Sequence, residues 1–500
     1  MNAPARYLHT PLPQPETARP EPATEGQRSA PALRILTCGS VDDGKSSLIG
    51  RLLWDATDLY DDQRAQLLGE AARAGGTAKP DFSRLLDGLA AEREQGITID
   101  VAWRYFDTRT RRIIIIDSPG HEQYTRNMAS GASHADLAIL LVDARHGIKP
   151  QTRRHAAILD LMGVRQVVLA VNKMDLVSYD EARFRQIETD FTTLAGHFNF
   201  PSPHAIPVAA VYGGNVASRD ANAPWYTGPT LLELIDTAKG RSSDTEGEFR
   251  MPVQLVLRDG GDFRGLAGTI SSGNAQLGDM VVEAKSGRQA RIDRIATFDG
   301  DVDRAEAGAA VVIGLDRDLD ISRGAVLAGR SDVPTRSNNI DARLIWLSDE
   351  PLNRHRSYVM RTATDTTSID SIAVEGRLDL ETLQIDATSE IAANDIAVVR
   401  LSLGQAIAAD LFSHHPETGS FLLVDQLTGA TIAGGVITAA HDLYSGSAAP
   451  GGYVLSSETL WRGLCVDLGR SPQDLAEFAR RRSEVLRILR DAGVVIDDNA

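Results

Sequence analysis

The run GSVDDGKSS, residues 39–47, lies between the apolar segment LRIL (33–36) and LIGRLLW (48–54). A strand feeding a glycine-rich turn and then a helix is the context in which G-x-x-x-x-G-K-S acts as a phosphate cradle. Residues Gly39, Ser40, Val41, Asp42, Asp43, Gly44, Lys45, Ser46 and Ser47 make up this loop. It supplies converging backbone N–H groups, an ammonium at Lys45 and, at Ser46, a hydroxyl for Mg²⁺. The cradle alone leaves the nucleotide open, but it points to an α/β fold around it.

Outward from the loop, unbroken apolar runs alternate with helix-like stretches as far as about residue 240: LRILTCG, RRIIIIDSPG, ADLAILLVDA, RQVVLAVNKMD and HAIPVAA. Such runs fit strands covered on both faces, hence a parallel sheet between helices. An α/β domain is expected over 32–243. Beyond EGEFRMP the segments turn short and alternating, as in VQLVLRD, GLAGTISSGN and DMVVEAKSG, with glycine punctuating them, the pattern of an antiparallel barrel. One barrel is expected over 249–331 and, after the linker SDVPTRSNN, a second over 337–437.

The two ends read differently. Residues 1–31 are rich in Pro, Ala, Glu and Gln and bury too little to repay ordering, so a disordered tail is expected. Residues 438–500 read as a linker, AAHDLYSGSAAPGGY, followed by a helix in SPQDLAEFARRRSEVLRILRDAG. Ser471 is its N-cap, Pro472 its first helical residue and Gly493 its C-terminal end.

With 68 acidic against 52 basic residues the formal charge is −16, which disfavours broad attraction to a polyanion, so no nucleic-acid partner is expected. No stretch approaches the roughly 20 apolar residues of a membrane span and the N-terminus lacks an apolar signal core. A cytoplasmic chain without membrane contact is the expectation. Cys38 and Cys465 are too few for a disulfide framework or a four-ligand zinc site.

Three further motifs narrow the ligand. DSPG, comprising Asp117, Ser118, Pro119 and Gly120, follows four consecutive isoleucines. A carboxylate at the end of a buried strand beside a phosphate loop suits a Mg²⁺ site, and Gly120 lets its N–H approach a γ-phosphate. NKMD, comprising Asn172, Lys173, Met174 and Asp175, ends another such strand. The Asp175 carboxylate can accept from the paired N–H groups of guanine, a donor pair that adenine lacks, so the nucleotide is read as GTP. Thr98, in EREQGITID, is the candidate switch threonine for Mg²⁺ and the γ-phosphate. His121, directly after Gly120, is the candidate catalytic residue, placed to orient the attacking water.

DSPGHEQYTRNM resembles the D-x-P-G-H-x-x-[FY] of translation-factor-type GTPases, whose α/β domain is followed by two β-barrels. Within that superfamily the chain is most similar to the large, GTPase subunit of bacterial sulfate adenylyltransferase, on GSVDDGKSSLIGRLL, LLDGLAAEREQGITIDVAWRYF, DSPGHEQYTRNMASGAS, FDGDVDRAEAG and LDISRG, over residues 32–437. The resemblance implies that GTP hydrolysis here is coupled to synthesis of adenosine 5′-phosphosulfate from ATP and sulfate by a small ATP-pyrophosphatase-type partner subunit. It also implies a guanine contact at VAAVYGGNV, where Ala209 stands in place of the family's serine and Ala210 keeps only its backbone role. TLWRGLCVDLGRSPQDLAEFARRRSEVLRILRDAGVVI is similar to the middle of adenylylsulfate kinase, but 438–458 holds no phosphate loop, so a remnant without kinase activity is expected. Two alternatives stay open at this point: a translation factor acting on RNA or the ribosome, and a bifunctional enzyme that also phosphorylates adenylylsulfate.

Overall fold

A computed structural model describes residues 32–56, 82, 100–108, 111–240, 247–259, 263–441, 476–481 and 483–484. Its first unit is a six-stranded sheet. In chain order the strands are β1 (Leu33–Gly39), β2 (Ala102–Asp107), β3 (Arg112–Asp117), β4 (Leu137–Asp143), β5 (Gln166–Asn172) and β6 (His204–Pro207). They lie in the order β2-β3-β1-β4-β5-β6, with β2 antiparallel to β3 and the remaining pairings parallel. β1, β3, β4, β5 and β6 coincide with the five apolar runs read from the sequence.

The helices α1 (Lys45–Ala56), α2 (Thr125–His134), α3 (Pro150–Leu161), α4 (Glu181–Ala195) and α5 (Leu231–Thr237) cover both faces. Alternation along β1 divides the core. Leu33 and Ile35 pack with Leu48, Leu52 and Ile235 under α1 and α5, whereas Leu36 and Cys38 pack with Met128, Ala156 and Phe184 under α2, α3 and α4. Burial pushes the Cys38 thiol up to about 12, against the pull of the Lys45 charge, so it is a neutral core group.

The second unit is antiparallel. Its main sheet runs β7 (Arg250–Pro252), β16 (Val326–Gly329), β11 (Met280–Glu283), β12 (Gln289–Thr297), β15 (Ala310–Leu315), β9 (Phe263–Thr269), β8 (Leu255–Asp259). β7 and β8, the two ends of this path, are separated by only Val253 and Gln254, so one stretch of chain closes the sheet on itself. Gln254 N–H donates to Ala267 O at 2.9 Å and Val253 N–H to Ala325 O at 2.8 Å across that seam. β13 (Gly300–Asp301) pairs with β12, and β10 (Asn274–Gln276) with β14 (Arg304–Glu306).

The third unit is a closed ring of six strands. β17 (Thr335–Trp346), β21 (Ile396–Ala409), β19 (Thr366–Leu378), β18 (Tyr358–Thr362), β22 (Ser420–Asp425) and β23 (Thr431–His441) follow one another around it, and β20 (Ile385–Asp386) is added on β19. β23 continues through Ala439, Ala440 and His441, which the sequence reading gave to the linker. These residues pair with Asp341, Ile340 and Asn339 of β17, and Asp341 Oδ2 meets the His441 ring at 3.1 Å. Residues 476–481 are helical, within the segment expected to be a helix, while its caps Ser471, Pro472 and Gly493 lie outside the described residues.

The units share buried surface. Ile345, Ile396 and Val436 of the ring join the core beneath α2 and α3, where Arg343 Nη1 meets Asp160 Oδ2 at 2.9 Å and Arg126 Nη2 donates to Leu347 O at 3.0 Å. Between the two barrels Arg250 is wholly buried. It donates to Asp410 Oδ1 at 3.0 Å and to Asp332 Oδ2 at 3.1 Å, and Asp410 also accepts from Thr418 at 2.6 Å. His415 lies in the turn that follows Leu411 and bridges Ser272 and Asp332 at 3.0 and 2.9 Å. Removing one member of a buried pair strands the other charge. Arg250→Met is therefore expected to destabilise the barrel pair by about 3–5 kcal/mol, seen as a lower thermal midpoint, with much of the loss recovered when Asp410→Leu is added.

Candidate functional site

Strand ends position the motifs. β1, β3 and β5 run parallel, so Gly39, Asp117 and Asn172 finish at one edge of the sheet, where loops carry the ligand chemistry of open α/β folds. The phosphate loop then turns sharply into α1. Asp42 and Gly44 have φ of +67° and +93°, and a Cβ on Gly44 would stand 2.4 Å from Asn172 Nδ2. Glycine is required there by close approach and by conformation together.

The loop is closed by its own groups. Ser40 N–H donates to Asp43 Oδ2 at 2.8 Å, and the Lys45 ammonium folds back to donate to Gly39 O at 2.9 Å and Ser40 O at 3.0 Å. Burial pushes the Lys45 ammonium below its ordinary range, while Asp117 and Asp43 pull it back. Val41 and Ser46 are half-buried in or beside the turn, and Ser47 follows in α1.

The Asp117–Gly120 segment presses on this loop. Thr37 Oγ1 donates to Asp117 Oδ1 at 3.2 Å, and Ser118 Oγ donates to Thr37 O at 2.8 Å. Pro119 is buried, and a Cβ on Gly120 would lie 2.5 Å from both Gly39 O and Lys45 Nζ. His121 is exposed. Its Nδ1 accepts from Gln123 N–H at 3.2 Å, which leaves Nε2 to carry the proton of the neutral ring. The carboxylate of Asp117 and the hydroxyl of Ser46 are the hard oxygen donors that Mg²⁺ takes. Thr98, the other metal candidate, lies outside the described residues.

Asn172 ties three loops together: its Nδ2 donates to Asp43 O at 2.9 Å and its Oδ1 accepts from Ala210 N–H at 3.1 Å. Lys173, at φ +62°, reaches Asp42 O and pairs with Asp143 Oδ2 at 3.1 Å. Met174 anchors the turn in the core, and Ala209 is buried beside Ala210. Asp175 is half-buried, and among the described residues its carboxylate accepts no hydrogen bond. All the described candidates thus fall in one cluster at the ends of β1, β3 and β5 and the turn after β6.

Sequence reasoning missed the charges that brace this cluster. Arg145 grips Asp143 with two bonds of 3.0 and 2.7 Å; although partial burial opposes it, these bonds and Lys173 hold the Asp143 carboxyl below the usual range. Lys149 Nζ meets Asp43 Oδ1 at 3.1 Å. The one local signal for Lys149 is that a lysine directly precedes Pro150 at a helix start, where a cation is unfavourable.

Comparison with known proteins agrees with this architecture. The model of the elongation factor Tu GTP binding domain matches residues 30–241, and that of the GTP-eEF1A C-terminal domain-like family matches 339–438. The chain is 45% identical over 410 residues to sulfate adenylyltransferase subunit 1 of Vibrio campbellii (strain ATCC BAA-1116), covering 81% of this chain and 86% of that protein. It is 45% identical over 417 residues to the protein of that name from Tolumonas auensis, covering 83% and 88%. It is also 40% identical over 519 residues to the bifunctional enzyme NodQ of Rhizobium sp. (strain N33), covering 94% and 80%. On these matches the chain belongs to the sulfate adenylyltransferase subunit 1 family, built on an elongation-factor-type GTPase domain.

Proposed function

We propose that this chain is the GTP-hydrolysing subunit of a sulfate adenylyltransferase, and that hydrolysis drives synthesis of adenosine 5′-phosphosulfate from ATP and sulfate by a small ATP-pyrophosphatase-type partner subunit. The observation that carries this reading is the convergence of the phosphate loop, Asp117–Gly120 and Asn172–Asp175 at one sheet edge of a chain from this family. Residues 39–47 hold the phosphates, with Lys45 neutralising their charge. Asp175 accepts from the guanine N–H pair. Asn172 keeps the base loop against the phosphate loop, and Ala210 N–H takes part through it.

Mg²⁺, when bound, neutralises charge on the β- and γ-phosphate oxygens, and Ser46, Asp117 and Thr98 are the residues that would hold it. His121 orients the attacking water through Nε2–H, because its Nδ1 is engaged by the turn. Catalysis of this kind needs positioning and charge stabilisation more than covalent chemistry.

The coupling has a physical basis: a sulfate–phosphate anhydride is harder to form than pyrophosphate release repays, and a switch that differs between its GTP and GDP states can shift that balance. Residues 459–496 are proposed as a relative of adenylylsulfate kinase without a phosphate loop ahead of it, for which no adenylylsulfate-dependent ATP consumption is expected. The test combines the chain with its small subunit, ATP, sulfate and GTP. Stimulated hydrolysis with adenylylsulfate above its GTP-free equilibrium level is the expected result. Hydrolysis indifferent to partner, ATP and sulfate would sink the proposal.

A further inference from the structure

We infer that Lys149 is a positioning residue for nucleotide binding: it neutralises the buried carboxylate of Asp43 so that a phosphate loop carrying an acidic residue can accept a polyphosphate. The inference rests on the reading of residues 39–47 as the phosphate site. Asp43 is 1% exposed, and both its carboxylate oxygens are engaged, Oδ2 by Ser40 N–H at 2.8 Å and Oδ1 by Lys149 Nζ at 3.1 Å. Its backbone carbonyl accepts from Asn172 at 2.9 Å. Asp43 therefore joins the phosphate loop to the base loop and, through Lys149, to the start of α3.

A fixed anion at that point is unfavourable beside a ligand that brings several negative charges of its own. The placement of Lys149 shows which interaction dominates. It occupies the N-cap position of α3, where Ser, Thr, Asp or Asn is favoured and where a cation opposes the helix dipole. Its side chain makes no bond to the helix backbone; the capping contact runs from its own N–H to Thr152 Oγ1 at 3.1 Å. A residue unfavourable to the helix is thus held by a partner 106 positions away in the phosphate loop.

Binding of GDP and of a non-hydrolysable GTP analogue would be titrated calorimetrically with the full chain and with Lys149→Met, Lys149→Arg, Asp43→Asn and the double variant Asp43→Asn/Lys149→Met. We expect Lys149→Met to weaken binding by about tenfold or more, because an uncompensated buried carboxylate is left facing the phosphates. Lys149→Arg should restore it, and the double variant should bind within about twofold of Asp43→Asn. Lys149→Met strands a buried charge and should also lower the thermal midpoint, which the double variant should recover, so every titration is run well below the lowest midpoint. Equal binding by the parent and Lys149→Met would overturn the inference, and so would a loss on Lys149→Met that persists undiminished in the Asp43→Asn background. Failure of the parent itself to bind either nucleotide would instead overturn the assignment of the site.

Discussion

Asp175→Asn is expected to exchange one nucleotide for another. Two hydrogen bonds from guanine to a carboxylate, at about 1.5–3 kcal/mol each, correspond to roughly 10²- to 10⁴-fold in affinity for GTP and GDP. Xanthine carries a carbonyl where guanine has its exocyclic amine, and an asparagine amide offers that oxygen a donor which a carboxylate lacks. The variant should therefore bind xanthosine triphosphate in preference to GTP, as competition titrations would show. The geometry favours a clean result. The Asp175 carboxylate accepts no hydrogen bond among the described residues, so the substitution breaks none of those described. Asn172, by contrast, is spent on Asp43 O and Ala210 N–H, and changing it would disturb the phosphate loop together with the base loop. Retention of tight GTP binding by Asp175→Asn would show that the base is read elsewhere.

The nucleotide site was legible because its requirements are local. A phosphate cradle needs glycines at fixed spacing ahead of Lys45, and a strand covered on both faces needs an unbroken apolar run, so β1, β3, β4 and β5 announce themselves. Gly44 and Gly120 sit where a single Cβ would strike Asn172 or the Gly39 carbonyl, which gives both glycines a physical reason. The barrels were legible as a class from their alternation. What stayed hidden was the choice of distant partners. Arg250 lies in the three-residue strand RMP, and nothing nearby marks it as buried; its counter-charge, Asp410, is 160 positions on. His415 is clasped between Ser272 and Asp332, 143 and 83 positions away, partners that no local pattern marks. The Ala-Ala-His end of β23 has the composition of a linker and is strand only because β17 is there to pair with it. Such contacts follow from the packing of the units on one another, which composition and periodicity do not encode.

His121→Ala is expected to separate nucleotide binding from turnover, and so to test what drives the coupled reaction. The side chain is exposed, and among the described residues its hydrogen bond is with its own turn, so its removal should leave GTP and GDP affinity within about twofold of the parent. Loss of a group that positions the attacking water should lower hydrolysis by about 10²- to 10⁴-fold. His121→Gln keeps an N–H donor on a flexible stem and should recover part of that rate. The coupled assay then decides a thermodynamic point. A bound GTP that is not hydrolysed can change the rate at which adenylylsulfate approaches equilibrium, but a catalytic quantity of complex cannot carry the product beyond that equilibrium. With His121→Ala, adenylylsulfate should therefore rise no higher than without GTP, although GTP is bound. Product above that level without matching hydrolysis would mean that the free energy enters by another route, and hydrolysis at the parent rate would remove His121 from the reaction.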